Sequence, residues 1–231
     1  MHAGGSMVTY RSGEDTVQAY LALPAGAGKH PALMMIHEWW GLTDWIRQQA
    51  DTLAQRGYVV LALDLYRGKV ASTPDLAHEL SRALPEDRVE RDLDAAAKFL
   101  YSRGDVDRRR IASIGWCMGG GYSLMAAMEV KHLAACVVCY GRLVTGEKEI
   151  KSISCPILGI FGGLDRGITP ESVKAFESAA KKQGKDVTTV IYDDAGHAFM
   201  NPGNAGGYKE QDTKEAQEKI FAFLDKHLIK H

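Results

Sequence analysis

The sequence carries almost no charge imbalance. Over 231 residues, 28 lysines and arginines face 29 aspartates and glutamates, for a formal net charge of −1. Nucleic-acid and anionic-membrane partners call for a basic excess, so neither is expected. Long hydrophobic runs are missing too. The longest apolar stretches, near 58–63 and 134–139, are strand-sized, whereas a membrane helix needs roughly 20 apolar residues. The opening Met1-His2-Ala3-Gly4-Gly5-Ser6 holds no basic region leading into an apolar core. No targeting segment is therefore expected, and a cytoplasmic location is the default. The histidines are scattered without an HxH or HExxH pattern, so no metal is expected; no other cofactor is expected either.

Cysteine is scarce, with Cys117, Cys136, Cys139 and Cys155 the only four. Without a secretory signal, a disulfide framework has no support. Cys136-Val137-Val138-Cys139 matches CxxC. However, an odd separation on a strand points the two side chains to opposite faces. Plain core cysteines are expected there.

What is present fits one globular domain spanning the chain, since roughly 200–250 residues is common for a single α/β unit. The 45% hydrophobic and 25% charged content is ordinary for such a protein. No repeat, low-complexity tract or linker interrupts it. Alternating segments over 6–11 and 17–23 flank Ser12-Gly13-Glu14-Asp15 and predict a β-hairpin. Beyond residue 30, short apolar runs alternate with helical spacing. Strands are predicted over 31–37, 58–65, 110–117, 133–140, 155–161 and 187–192. Helices are predicted over 43–56, 74–103 with a break near Leu84-Pro85, 119–130, 169–183 and 208–228. The last carries an apolar stripe of Ala216, Ile220, Phe223 and Leu224. Continuous apolar strands separated by helices predict a mostly parallel sheet with helices on both faces. In such sheets, sites lie beyond the carboxyl ends of the strands.

One strand–helix junction reads Gly115-Trp116-Cys117-Met118-Gly119-Gly120. This is the G-x-S-x-G nucleophile turn with cysteine in the serine position. Glycines are needed because strand and helix nearly touch. The sulfur sits at a helix start, where the dipole and free N–H groups favour a thiolate. The Met118 N–H becomes an oxyanion donor. A buried structural cysteine or a phosphate cradle would use a similar turn. Against the cradle, no lysine follows in the Walker position and no G-x-G-x-x-G occurs.

A nucleophile turn predicts an acid and then a histidine, each after a later strand. Asp165 follows the strand ending near 161, and His197 follows the one ending near 192. Singly, these read equally well as a turn aspartate and a surface histidine. Together, in this order, they predict a Cys117–His197–Asp165 triad on an α/β-hydrolase fold. Asp193 and Asp194 are rival acids, but stand too close in sequence to His197. His197 would take the thiol proton or hold it as imidazolium, and later activate water. Asp165 would orient the ring.

Four segments make the chain resemble the dienelactone hydrolase family of carboxymethylenebutenolidase-like proteins: His37-Glu38-Trp39-Trp40-Gly41, Asp64-Leu65-Tyr66, the cysteine turn, and Ala195-Gly196-His197-Ala198-Phe199. The resemblance covers nearly the whole chain. It implies an ester or lactone hydrolase acting on a small molecule; a monomer or small homo-oligomer is expected. It also implies that Glu38 interacts with the cysteine thiol and gates its ionisation. The Trp39 backbone N–H would be the second oxyanion donor. The family's founding enzymes anchor a substrate carboxylate with arginines, one of them four residues past the histidine. Here that position is Asn201, and Arg67 stands too early to match the other. A differently shaped ester or lactone is then as plausible a substrate as dienelactone. Tyr140, at a strand end, is a candidate pocket residue or a core residue. Thioester or amide hydrolysis, or a binding role without catalysis, remains open at this point.

Overall fold

The computed structural model describes residues 4–229; residues 1–3, the start of the N-terminal stretch read above, lie outside them. The chain begins with a hairpin, β1 (Ser6–Ser12) and β2 (Asp15–Ala22). It continues as β3 (His30–Ile36), α1 (Asp44–Gln55), β4 (Val59–Leu63), α2 (Pro74–Arg82) and α3 (Glu86–Ser102). Next come β5 (Val106–Trp116), α4 (Met118–Glu129), β6 (Ala135–Cys139) and α5 (Glu147–Ser152). β7 (Ile157–Gly162), α6 (Pro170–Lys182), β8 (Val187–Tyr192) and α7 (Glu210–Leu228) complete it.

The eight strands form one sheet in the order β1-β2-β4-β3-β5-β6-β7-β8. β1 and β2 pair antiparallel, as do β2 and β4; every other pairing is parallel. The expected α/β-hydrolase architecture is therefore present. All residues of β4, β6 and β7 are buried, because helices cover both faces of a parallel sheet and leave no wet side. Two apolar layers result. Cys136 belongs to one and Cys139 to the other, as the odd spacing predicts.

Local chemistry sets the helix ends. Thr73 and Thr169 each accept a hydrogen bond from a first-turn amide, ahead of Pro74 and Pro170. Pro85 separates α2 from α3 at the predicted break. α5 is absent from the sequence reading; it has six residues and buries only Ile150, too short for a periodicity to register. β5 starts at Val106, four residues before the predicted 110, across a register shift opposite His30 and Ala32. On α7, Ala216, Ile220 and Leu224 are buried, while Phe223 lies at the edge with its ring 4.7 Å from that of His227. Leu228 completes the buried stripe instead. Among the described residues, no helix is long and apolar enough to cross a membrane.

Candidate active site

Small residues let α4 approach the sheet. Gly119, Gly120, Ser123, Ala126 and Ala127 form its buried face. A Cβ at Gly115 would overlap the Gly119 carbonyl, and one at Gly119 would overlap the carbonyls of Ile36 and His37. The turn between β5 and α4 is therefore confined to glycine at both positions. Cys117 is held there at φ 55° and ψ −119°, a conformation that disfavours a side chain. Its amide donates to the Cys139 carbonyl at 3.0 Å, which ties the turn to β6.

The loops after β7 and β8 bring Asp165 and His197 to this cysteine. His197 Nε2 stands 3.1 Å from Cys117 Sγ. His197 Nδ1 stands 2.6 Å from Asp165 Oδ2. Asp165 Oδ1 accepts from the amides of Gly167 at 2.8 Å and Ile168 at 3.0 Å. Burial would raise the Asp165 carboxyl, but His197 and these amides outweigh it and hold it below the usual range. Burial would likewise lower the His197 imidazole. The Asp165 hydrogen bond and the Cys117 sulfur outweigh that and raise it to about 10. The rival acids Asp193 and Asp194 are exposed, and Asp165 is the carboxylate on the ring.

A cavity of about 380 Å³ opens over the sulfur, lined by Glu38, Trp39, Trp40, Cys117, His197 and Asn201 among others. Trp39 packs edge-on against Trp40 and against His78 of α2. Met118 is the first residue of α4, so its N–H has no partner within the helix. Glu38 is buried. Its Oε2 accepts from Asn201 Nδ2 at 2.5 Å and its Oε1 from the Tyr140 hydroxyl at 3.4 Å.

Tyr140 is fully buried and lies behind Glu38 rather than on the cavity wall. Its ring centroid is 5.3 Å from that of His197, at φ 39°. The candidate pocket residue is thus a contact of two site residues. Arg67 is committed elsewhere, paired with buried Asp92 at 2.8 Å.

Sequence reading missed three contributors. His37 is fully buried; its Nε2 accepts from the Leu65 amide and its Nδ1 donates to the Glu38 carbonyl. Asp64 accepts from the amides of Tyr66 and Gly68, shaping the loop after β4. Asn204 Nδ2 donates to the carbonyls of His197 and Ala198. Only the contacts between loops reveal these roles; each residue alone reads as an ordinary polar side chain.

The Glu38 carboxyl gives a pH signature. Burial raises it from 4.5 to about 7, against the lowering effects of Asn201, His197 and Tyr140. A carboxyl that binds its proton more tightly when folded contributes stability fully below pH 4.5 and loses it as pH rises through about 7. Glu38→Gln removes that titration. The stability of wild type relative to this variant is expected to fall by on the order of 3 kcal/mol across that window. Denaturant midpoints measured at each pH check it; parallel curves would contradict it.

Comparison with known proteins identifies the family. The sequence profile described as "Dienelactone hydrolase family" matches residues 17–228. A protein of Methylorubrum extorquens named "Putative carboxymethylenebutenolidase" is 31% identical over 200 residues, covering 80% of this chain and 69% of the relative. "Protein usf" of Aquifex pyrophilus is 30% identical over 231 residues, covering 97% of this chain and 99% of the relative. A crystal structure of a "Putative Dienelactone Hydrolase" from Klebsiella pneumoniae superposes with a TM-score of 0.87 at 28% identity, covering 95% of this chain and 97% of that one.

Proposed function

Since the chain belongs to the dienelactone hydrolase family and is a hydrolase of carboxylic esters or lactones, we propose that it acts as a single α/β-hydrolase domain through a Cys117–His197–Asp165 triad. The observation that carries this reading is the unbroken line from Cys117 Sγ through the His197 ring to Asp165.

Cys117 Sγ attacks the carbonyl carbon of the substrate, and the carbonyl π electrons move to oxygen. The N–H groups of Met118 and Trp39 receive that oxyanion. His197 carries the proton displaced from the thiol and delivers it to the leaving alkoxide as the C–O bond breaks. An acyl-cysteine remains. His197, now neutral, takes a proton from water, whose oxygen attacks the thioester carbonyl. The acid leaves, and the proton returns to the Cys117–His197 pair. Asp165 keeps Nδ1 protonated, so that Nε2 faces the sulfur. Glu38, buried beside the cavity, takes part in gating the thiol.

A series of p-nitrophenyl esters from acetate to octanoate, with dienelactone alongside, tests the reading. Short acyl esters are expected to turn over fastest, since the cavity is about 380 Å³. Failure of every ester and of the lactone would contradict it.

A further inference from the structure

The side chains around the cavity have a one-sided charge pattern. Among the described residues neither lysine nor arginine lines it; the titratable groups there are Glu38, Cys117 and His197. His197 already faces the Asp165 carboxylate on one side and the cysteine sulfur on the other. Its positive charge is therefore spent on groups of the protein. Arg67, from the loop after β4, is bound to Asp92 and stands 3.9 Å from Asp15.

Glu38 adds a second carboxyl, and its orientation is fixed. Asn201 Oδ1 accepts from the Gly203 amide at 2.7 Å, so the NH2 group of Asn201 must be the end that faces Glu38. The Tyr140 hydroxyl is the other donor. Both neighbours present hydrogens to the two carboxyl oxygens, an arrangement that suits a carboxylate. Glu38 and Asn201 are each no more than 9% exposed. Above pH 7, where Glu38 is ionised, a substrate carboxylate entering here would lose its water beside a negative group, with no lysine or arginine of the described lining to receive it.

We propose that this cavity selects uncharged esters and lactones over anionic ones, with Glu38 as the discriminating side chain and Asn201 as the positioning residue that holds it. The substrate class rests on the hydrolase reading above, but the charge selection can be measured without hydrolysis.

Iodoacetamide and iodoacetate alkylate a thiolate by the same displacement of iodide and differ mainly in charge. The other three cysteines are buried, so peptide mass spectrometry follows Cys117 alone. Above pH 7, the ratio of the iodoacetamide rate to the iodoacetate rate at Cys117 is expected to exceed that of β-mercaptoethanol by at least about tenfold. The ratio is expected to fall towards the free-thiol value in Glu38→Gln. It should fall as well in Asn201→Lys, which adds a cation beside the carboxyl. A wild-type ratio equal to or below the free-thiol value overturns the proposal, whether or not either variant folds.

Hydrolysis of methyl 4-acetoxybenzoate against 4-acetoxybenzoate supplies the second readout, with the neutral ester expected to show the higher kcat/KM by a similar factor. Equal kcat/KM for the two esters overturns the charge selection and leaves the hydrolase intact. Discrimination in alkylation with neither ester cleaved supports the charge selection and leaves the hydrolase reading to be decided by the ester and lactone series.

Discussion

Replacing Cys117 with alanine is expected to lower kcat/KM for a short p-nitrophenyl ester by on the order of 10⁴-fold or more. The loss follows from what the substitution removes. The turn geometry belongs to the backbone, held by Gly115, Gly119 and the Cys117 amide on the Cys139 carbonyl. Alanine keeps all of that and deletes only the sulfur. The Met118 and Trp39 N–H groups proposed as oxyanion donors, the cavity and the His197–Asp165 pair should stay in position, and would account for whatever residual rate remains. Cys136, Cys139 and Cys155 are buried and cannot substitute. Thermal unfolding of the variant should stay close to wild type, so a collapse in rate without a collapse in stability is the expected pattern. Full activity in the variant would contradict it.

The second large effect lies at His197. His197→Ala is expected to cost on the order of 10³- to 10⁴-fold in kcat/KM, and the double variant with Cys117→Ala should be little worse than either single one. In the proposed mechanism the two residues, 3.1 Å apart, act as one unit, so removing either should disable both. His197→Ala should also slow iodoacetamide alkylation of Cys117, because the sulfur loses the imidazolium opposite it. Asp165→Asn leaves the ring in place but reverses the proton preference at Nδ1. Its cost is expected to fall on kcat more than on KM. Multiplicative losses in the double variant would mean that Cys117 and His197 do not act together.

The sequence was most informative where one residue type settles a steric question. Gly115 and Gly119 flank a turn that only glycine can make, so the strand–helix turn that holds Cys117 was legible without structure. The core strands were legible because burial on both faces leaves only apolar residues to write them with. The placing of Asp165 and His197 in the loops after β7 and β8 followed from the strand count. Legibility ended where meaning depends on contacts between distant loops. Asn201 looked like a missing arginine and is in fact the partner of Glu38, 163 positions away. Tyr140 reads equally as a pocket or a core residue, and only the fold shows it buried, backing Glu38 and His197. α5 is too short to leave a period, and β5 runs past its predicted start because its first pairing with β3 is irregular.

The central claim is that Cys117 carries the acyl group. Rapid acid quenching of the enzyme mixed with a p-nitrophenyl ester, followed by peptide mass spectrometry, tests it most directly. The account predicts one acyl mass on the peptide holding Cys117, formed within the first turnover and absent from Cys117→Ala. An acyl group on any other residue, or turnover by the alanine variant at the wild-type rate, would contradict it.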